Sequence, residues 1–197
     1  MKPWILGITG GVGCGKSAVL SILEKEYGAY VIQADLVAHE LMMPGQASYL
    51  AIVKNFGESI LAKDGSIDRK ALGSIVFMDE SKLLLLNSLT HPAVKEEIRR
   101  RIAESTDPFI VIEAALLLED HYDEICDEIW YVYADRETRF QRLEASRGYT
   151  RQKSQSMMDN QMSEEELRRR CQAVIDNSGT LEETQRQLDE WLKEKLA

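Results

Sequence analysis

The chain has 197 residues, of which 44% are hydrophobic and 29% charged, and its formal net charge is −9. Length and composition are typical of one well-packed globular domain. The acidic balance argues against a general nucleic-acid binder or a membrane-surface binder, although a local basic cluster can still bind a small anion.

Short apolar runs alternate with helical patterns along most of the chain. Continuous apolar strands separated by helices are typical of an α/β protein whose parallel sheet is covered on both faces. A helix follows the first strand and continues through about Tyr27. The five predicted strands are 4–8, 29–32, 109–112, 129–132 and 173–175.

The turn between the first strand and the first helix carries the most specific motif. Residues 10–17 read GGVGCGKS, a complete G-x-x-x-x-G-K-[ST] phosphate loop. Glycines let the backbone turn tightly and point N–H groups at an anion, Lys16 adds a full charge, and Ser17 offers a hydroxyl to Mg²⁺. We interpret Cys14 as a small filler and not a nucleophile. The predicted nucleotide contacts in this loop are Gly11, Val12, Gly13, Cys14, Gly15, Lys16, Ser17 and Ala18.

Two segments are longer than a simple crossover needs. Residues 36–108 contain turn signals at 44–45 and 64–65, a leucine-rich helix near 83–89 and a second helix that begins at His91-Pro92, with Val94, Ile98 and Ile102 inward. Residues 136–172 form a polar helical hairpin whose first part is strongly basic, and we interpret it as a lid that closes over phosphates. A solvated helix face with i,i+4 pairs is the alternative. The basic residues are Arg136, Arg139, Arg142, Arg147, Arg151 and Lys153.

The last predicted helix begins at Thr180, with Glu183 at capping-box spacing. The apolar residues Leu181, Leu188, Trp191 and Leu192 are expected on its inner face.

Two carboxylates follow predicted strands. Asp35 comes within three residues of the second strand, where ligands of parallel sheets collect, and we expect it near the γ-phosphate. A helix cap for a helix starting at Leu36 is the alternative role for Asp35. Glu113 ends the third strand and could orient a metal-bound water or simply face solvent.

Taken in order, these motifs resemble the dephospho-coenzyme A kinase family over essentially the whole chain. A phosphate loop alone is common to many unrelated proteins, whereas the ordered set is much narrower. The further markers are Ala34-Asp35, Pro44-Gly45, Phe56-Gly57, Asp64-Gly65, Leu89-Thr90-His91-Pro92, Leu116-Leu117-Leu118-Glu119, Gln161 and Ile175-Asp176-Asn177-Ser178-Gly179.

The resemblance implies transfer of the γ-phosphate of ATP to the ribose 3′-hydroxyl of dephospho-coenzyme A, with ATP and Mg²⁺ as cofactors. It makes Asp35 the general base and has Lys16, Arg142 and Arg147 stabilise the transferred phosphoryl group. Asn177 would lie near the adenine of ATP, and Ser17 would bind the metal. The residues on the acceptor side would be Asp35, His39, His91 and Glu119.

The implied fold is a P-loop NTPase-type five-stranded parallel sheet flanked by helices, as a single kinase domain over 1–197. Its core would comprise 1–35, 109–135 and 173–197, with a helical substrate-binding insertion at 36–108 and a helical lid at 136–172.

The chain departs from the usual family pattern at three positions. Gln33 stands where the family usually has an aspartate, Ala115 where it has a proline, and His39 where an arginine is common. The exchange at position 39 removes a permanent charge, so substrate binding could weaken or depend on pH.

Two other functions remain open at this point: a P-loop kinase for another small metabolite or nucleoside, and an inactive nucleotide-binding protein. We expect no nucleic-acid or membrane partner and a monomer. Three cysteines without paired spacing, no signal peptide and no apolar run near the ~20 residues that cross a bilayer predict a cytoplasmic location.

Overall fold

A computed structural model describes residues 2–196. The chain divides into two compact units. The larger comprises the residues up to Ile32 and those from Thr106 onward, and the smaller is Gln33–Ser105. The role of residues 36–108 in binding the acceptor stays a prediction.

A parallel sheet organises the larger unit. Within residues 2–196 it has five strands in the order β2-β3-β1-β4-β5. Each predicted strand is confirmed, and every end lies within one residue of the predicted one. The strands are β1 (Trp4–Thr9), β2 (Tyr30–Gln33), β3 (Phe109–Glu113), β4 (Glu128–Tyr133) and β5 (Ala173–Asp176).

The strand register brings the ends of four strands to one edge of the sheet. Ile8 pairs with Glu113, and Tyr133 pairs with Asp176, in parallel register. The chain leaves β1 through the phosphate loop at this edge, and it leaves β5 through Asn177, whose N–H donates to the Tyr133 carbonyl at 2.8 Å. The edge therefore collects the residues that follow the strands.

Two helices cover one face of the sheet and bury its main core. They are α1 (Lys16–Tyr27) and, near the chain end, a helix over Leu181–Leu192. Leu23 and Leu188 pack with Leu6 and Trp130 in one buried cluster. The alternation of strand side chains sets this face, because every second residue points to it.

The last helix confirms the predicted capping box of Thr180 and Glu183. Leu188 and Leu192 are buried as predicted, but Leu181 is 56% exposed, so its predicted inward position is wrong. Trp191 is 43% exposed, although its ring centroid lies 6.1 Å from that of Trp130. Periodicity identifies the apolar stripe of a helix but not how much of its length the core covers.

The smaller unit contains four α-helices within the described chain, and these are α2 (Ala34–Leu41), α3 (Ala47–Phe56), α4 (Arg69–Phe77) and α5 (Glu80–Glu104). Ile52, Ile60 and Leu72 form its buried cluster. The predicted turn at 64–65 lies between Leu61 and Ile67, which form an isolated antiparallel bridge.

One continuous helix, α5, replaces the two helices predicted before and after His91-Pro92, so a helix start at this point is wrong. Proline lacks the N–H that would bond to the Ser88 carbonyl. Pro92 and Ser88 are both exposed, so water can bond to the Ser88 carbonyl. Val94 and Ile98 are buried as predicted, and Ile102 is half-buried. No helix in residues 2–196 has the apolar length that a membrane span requires.

The basic segment between β4 and β5 forms three helices, not the predicted hairpin of two. Gly148, in the left-handed region, ends the first of them. Thr150 and Ser163 then cap new helices by accepting backbone N–H bonds from Lys153 and Glu166. The helices are α6 (Arg136–Arg147), α7 (Arg151–Asp159) and α8 (Glu164–Arg170), and the helix over Leu181–Leu192 is α9.

Candidate active site

The phosphate loop leads directly into α1, which begins at Lys16. Its N-cap is Gly15, with φ 86°, and among the described residues no side chain caps this helix. The first-turn N–H groups therefore keep their capacity to bind an anion, in line with the helix dipole. Ser17 lies exposed in that first turn, and Ala18 follows it with its N–H donated to the Gly15 carbonyl at 3.0 Å.

Side chains from outside the loop hold several loop carbonyls. Arg139 Nε donates to the Val12 carbonyl at 2.8 Å. Asn177 Nδ2 donates to the carbonyls of Cys14 at 2.8 Å and Gly15 at 3.4 Å. In a trans peptide the C=O of one residue and the N–H of the next point in opposite directions. Anchoring these carbonyls outward therefore turns the following N–H groups toward the interior of the loop. Those groups belong to Gly13, Gly15 and Lys16.

Gln161 also contacts the loop, and its role there was not predicted. Its Oε1 accepts the N–H of Val12 at 2.9 Å, so this N–H already has a side-chain partner. Gly11 leaves room for this arrangement, because a Cβ there would lie 3.2 Å from Gln161 Oε1 and still closer to Arg139.

Lys16 and Glu113 form a partly buried ion pair behind the loop. Lys16 Nζ lies 3.6 Å from Glu113 Oε1 and donates to the Gly10 carbonyl at 2.8 Å. Glu113 is 7% exposed, so the alternative in which it simply faces solvent is wrong. Its carboxylate holds the lysine ammonium beside the loop before a nucleotide arrives.

Cys14 fills space, as its interpretation as a filler requires. Its side chain is 2% exposed and belongs to the buried cluster of the larger unit. Burial raises the pKa of this thiol above its ordinary value, so it stays protonated near neutral pH. Only the backbone of Cys14 is available to the loop's function.

Arg142 is the second arginine of the basic segment that reaches the loop. Its Nη1 donates to the Cys14 carbonyl at 3.2 Å, and its Nη2 donates to the Asn177 carbonyl at 2.8 Å. The other four basic residues contact side chains within the same segment. Arg136 bonds to Gln155, Arg147 lies 5.9 Å from the centroid of the Tyr149 ring, Arg151 pairs with Glu137, and Lys153 lies 3.7 Å from the Tyr149 centroid.

Asn177 is 1% exposed, and all of its amide hydrogen-bonding groups face protein atoms. Its Nδ2 bonds to loop carbonyls, and its Oδ1 accepts the hydroxyl of Thr184 at 2.9 Å. Thr184 was not predicted as a site residue, and no motif indicates it, because only the packing of α9 brings it to this amide. The contact of Asn177 with adenine stays a prediction.

The predicted acceptor residues of the smaller unit lie on two helices. Asp35 is exposed in the first turn of α2, which begins at Ala34 after the N-cap Gln33, so Asp35 is not the helix cap. His39 lies in the last turn of α2, where its ring nitrogen bonds to the Arg69 guanidinium. His91 is a half-buried residue in the middle of α5.

Glu119, the remaining predicted acceptor residue, belongs to the larger unit. It is exposed in the turn that follows β3, between buried Leu118 and the short helical turn at 122–124. Its role stays a prediction, as do the roles of the acceptor residues of the smaller unit.

The parallel sheet and its phosphate loop define a P-loop kinase fold. A solved structure from Thermus thermophilus superposes with a TM-score of 0.85 at 31% identity, over 98% of both chains. A dephospho-CoA kinase from Campylobacter jejuni gives 0.70 at 25%, over 97% of this chain and 98% of that one. A shikimate kinase from Acinetobacter baumannii gives 0.56 at 16% identity, and this likeness concerns the fold alone.

The sequence comparisons identify the family within the class of P-loop kinases. The family model for dephospho-CoA kinase matches residues 4–183, and the chain belongs to this family. A dephospho-CoA kinase from Geobacter sulfurreducens is 47% identical over 193 residues, covering 96% of this chain and 98% of that protein. A second dephospho-CoA kinase, from Carboxydothermus hydrogenoformans, is 43% identical over 187 residues, covering 93% of this chain and 90% of that protein. The predicted family resemblance is confirmed.

Proposed function

We propose that the protein transfers the γ-phosphate of ATP to the ribose 3′-hydroxyl of dephospho-coenzyme A, the last step of coenzyme A synthesis. The observation that carries this proposal is an intact phosphate loop within a match to the dephospho-CoA kinase family that spans residues 4–183. The loop accounts for the donor, and the family accounts for the acceptor.

On the donor side, the anchored loop presents N–H groups to the phosphates, and Lys16 adds a charge at the β- and γ-phosphates. In the structure, the charge of Lys16 is compensated by Glu113, and its ammonium donates a hydrogen bond to the Gly10 carbonyl. We propose that, once ATP is bound, the ammonium of Lys16 pairs with its β- and γ-phosphates. Arg142 uses two of its five N–H donors on the Cys14 and Asn177 carbonyls, which leaves others for a phosphoryl oxygen. Arg147 is proposed to join it.

The residues present also fit Mg²⁺, which prefers oxygen ligands and usually keeps several waters and substrate phosphates among them. No cluster of three or more His, Cys, Asp or Glu suited to a metal occurs in residues 2–196, and such a cage is not needed for this ion. We propose that the exposed Ser17 hydroxyl holds the ion and that Glu113 orients one of its waters. When bound, Mg²⁺ neutralises charge on the transferred phosphoryl group.

On the acceptor side, we propose Asp35 as general base. Its carboxylate takes the proton of the 3′-hydroxyl, the hydroxyl oxygen forms a bond to the γ-phosphorus, and the bond to the β-phosphate oxygen breaks to release ADP. Asp35 is suited to this role because it is exposed and not used as a cap. We propose that the acceptor is bound by His39, His91 and Glu119. His39 stands where the family commonly has an arginine, and its ring nitrogen bonds to the Arg69 guanidinium.

The experiment that tests the function uses purified protein, ATP, Mg²⁺ and dephospho-coenzyme A, with the product identified by mass spectrometry. We expect a mass gain of one phosphoryl group at the ribose and one ADP per product. A panel of nucleosides and small hydroxylated metabolites, shikimate included, separates the proposal from a kinase for another metabolite. ATP binding with no ADP release on any acceptor would instead identify an inactive nucleotide-binding protein.

Location and assembly are further proposals. A cytoplasmic monomer is consistent with the family's small-molecule chemistry and with Cys14, Cys126 and Cys171, all of which are free thiols. Fractionation and size-exclusion chromatography with light scattering would test both.

A further inference from the structure

A buried polar contact lies behind the phosphate loop, on the side away from its glycine-lined interior. Thr184 in α9 is 0% exposed, and its Oγ1 lies 2.9 Å from Asn177 Oδ1 and 3.2 Å from the Thr180 carbonyl. A hydroxyl has a single proton to donate, so it serves one of these acceptors at a time. The shorter distance favours Asn177.

The carbonyls around Asn177 dictate which way its amide points. The carbonyls of Cys14 and Gly15 are acceptors only, so the NH₂ group must face them and Oδ1 must face the opposite way. There Thr184 is the donor that satisfies Oδ1. Without that hydroxyl, a buried oxygen loses its partner and the amide loses the contact that fixes its rotation.

Arg142 cannot replace this anchor. It bonds to the Cys14 carbonyl and to the backbone carbonyl of Asn177. The Gly15 carbonyl accepts the Ala18 N–H at 3.0 Å, and Asn177, at 3.4 Å, is the side chain that contacts it within residues 2–196. The Gly15 carbonyl precedes the N–H of Lys16, at the start of α1. Among the side chains of residues 2–196, the Asn177 amide is therefore the one that joins both of these consecutive carbonyls.

We propose that Thr184 is a positioning residue for the phosphate donor. By orienting the Asn177 amide, it adds to the bonds from Arg142 and from the Ala18 N–H that hold the carbonyls of Cys14 and Gly15 outward. The N–H groups of Gly15 and Lys16 are thereby held toward the phosphates. The inference rests on the proposed function only in that the loop binds ATP, and it requires nothing of the acceptor.

The test compares three variants by equilibrium binding of a non-hydrolysable ATP analogue with Mg²⁺. Thr184→Val keeps the shape and removes the hydroxyl, and we expect roughly tenfold weaker binding, the effect of one buried polar group left unpaired. Thr184→Ser keeps the hydroxyl and should bind within about twofold of the parent. Leu188→Val is the matched control, because it trims a buried side chain one turn further along the same helix.

Melting temperatures measured in parallel separate positioning from general loosening of α9. We expect Thr184→Val and Leu188→Val both to melt earlier, with weaker analogue binding in Thr184→Val only. The proposal is overturned if Thr184→Val binds like the parent, if Thr184→Ser binds as weakly as Thr184→Val, or if Leu188→Val shares the loss. A wrong acceptor assignment would leave all of these binding results unchanged, so the two failures are distinguishable.

Discussion

Replacing Gly15 by alanine tests the loop geometry directly. At φ 86° any side chain is strained, and a Cβ at this position would come closer than 3.0 Å to Asn177 Nδ2. The left-handed backbone costs an alanine about 1–2 kcal/mol. Displacing a buried amide from its carbonyl partners costs about 1–3 kcal/mol more. We therefore expect the free energy of unfolding to fall by about 2–5 kcal/mol.

Gly148→Ala is the control for that experiment. Gly148 also lies in the left-handed region, with φ 62°, but nothing lies within 4 Å of a Cβ added there. It should lose only the backbone part, about 1–2 kcal/mol, and bind ATP normally. Urea denaturation gives the stabilities, and titration with an ATP analogue gives the affinities, where Gly15→Ala should bind roughly 100-fold more weakly. Equal stabilities and equal affinities in the two variants would refute the reasoning.

Three further predictions concern chemistry, strain and burial. Asp35→Asn should bind ATP normally but lose roughly 10²–10⁴-fold in kcat, because its amide cannot take a proton; unchanged turnover would rule out Asp35 as the base. Within residues 2–196, His121 is the one non-glycine residue with a positive φ, at 54°. Because glycine adopts this backbone conformation without strain, His121→Gly should raise Tm by about 2–4 °C, which scanning calorimetry measures. Burial raises the pKa of Cys126 to about 12, that of Cys171 to about 11, and that of Cys14 above its ordinary value. At pH 8 a thiol reagent should therefore label the native protein slowly, whereas it should label the unfolded protein at all three cysteines.

The same thiols give a dependence of stability on pH. A raised pKa means that the folded state keeps the proton at a pH where an unfolded thiol, with a pKa of about 8.5, has lost it. Their contribution to stability is therefore complete below that pH and is lost as the pH rises toward 11–12. Alkaline denaturation curves that match those of a Cys126→Ala variant would contradict this assignment for Cys126.

Features encoded by neighbouring residues were predictable from the sequence. The strands were readable because each is a short apolar run, and the capping box of α9 was readable because both of its partners lie within four residues. The break predicted at Pro92 failed because local propensity was outweighed by the packing of a 25-residue helix on both sides of the proline. Leu181 failed for the opposite reason, since its stripe was correct but the core ends before it.

The phosphate loop shows which features local sequence determines and which depend on tertiary structure. Its glycines, Lys16 and Ser17 are contiguous, and local backbone chemistry by itself determined that this chain binds a phosphate donor between a strand and a helix. Tertiary structure decided which side chains hold the loop carbonyls. Asn177 reaches Cys14 and Gly15 only after β5 has joined the sheet, and Thr184 reaches Asn177 only after α9 has packed. Contacts across more than 160 residues leave no local pattern, since they depend on strand order and helix packing.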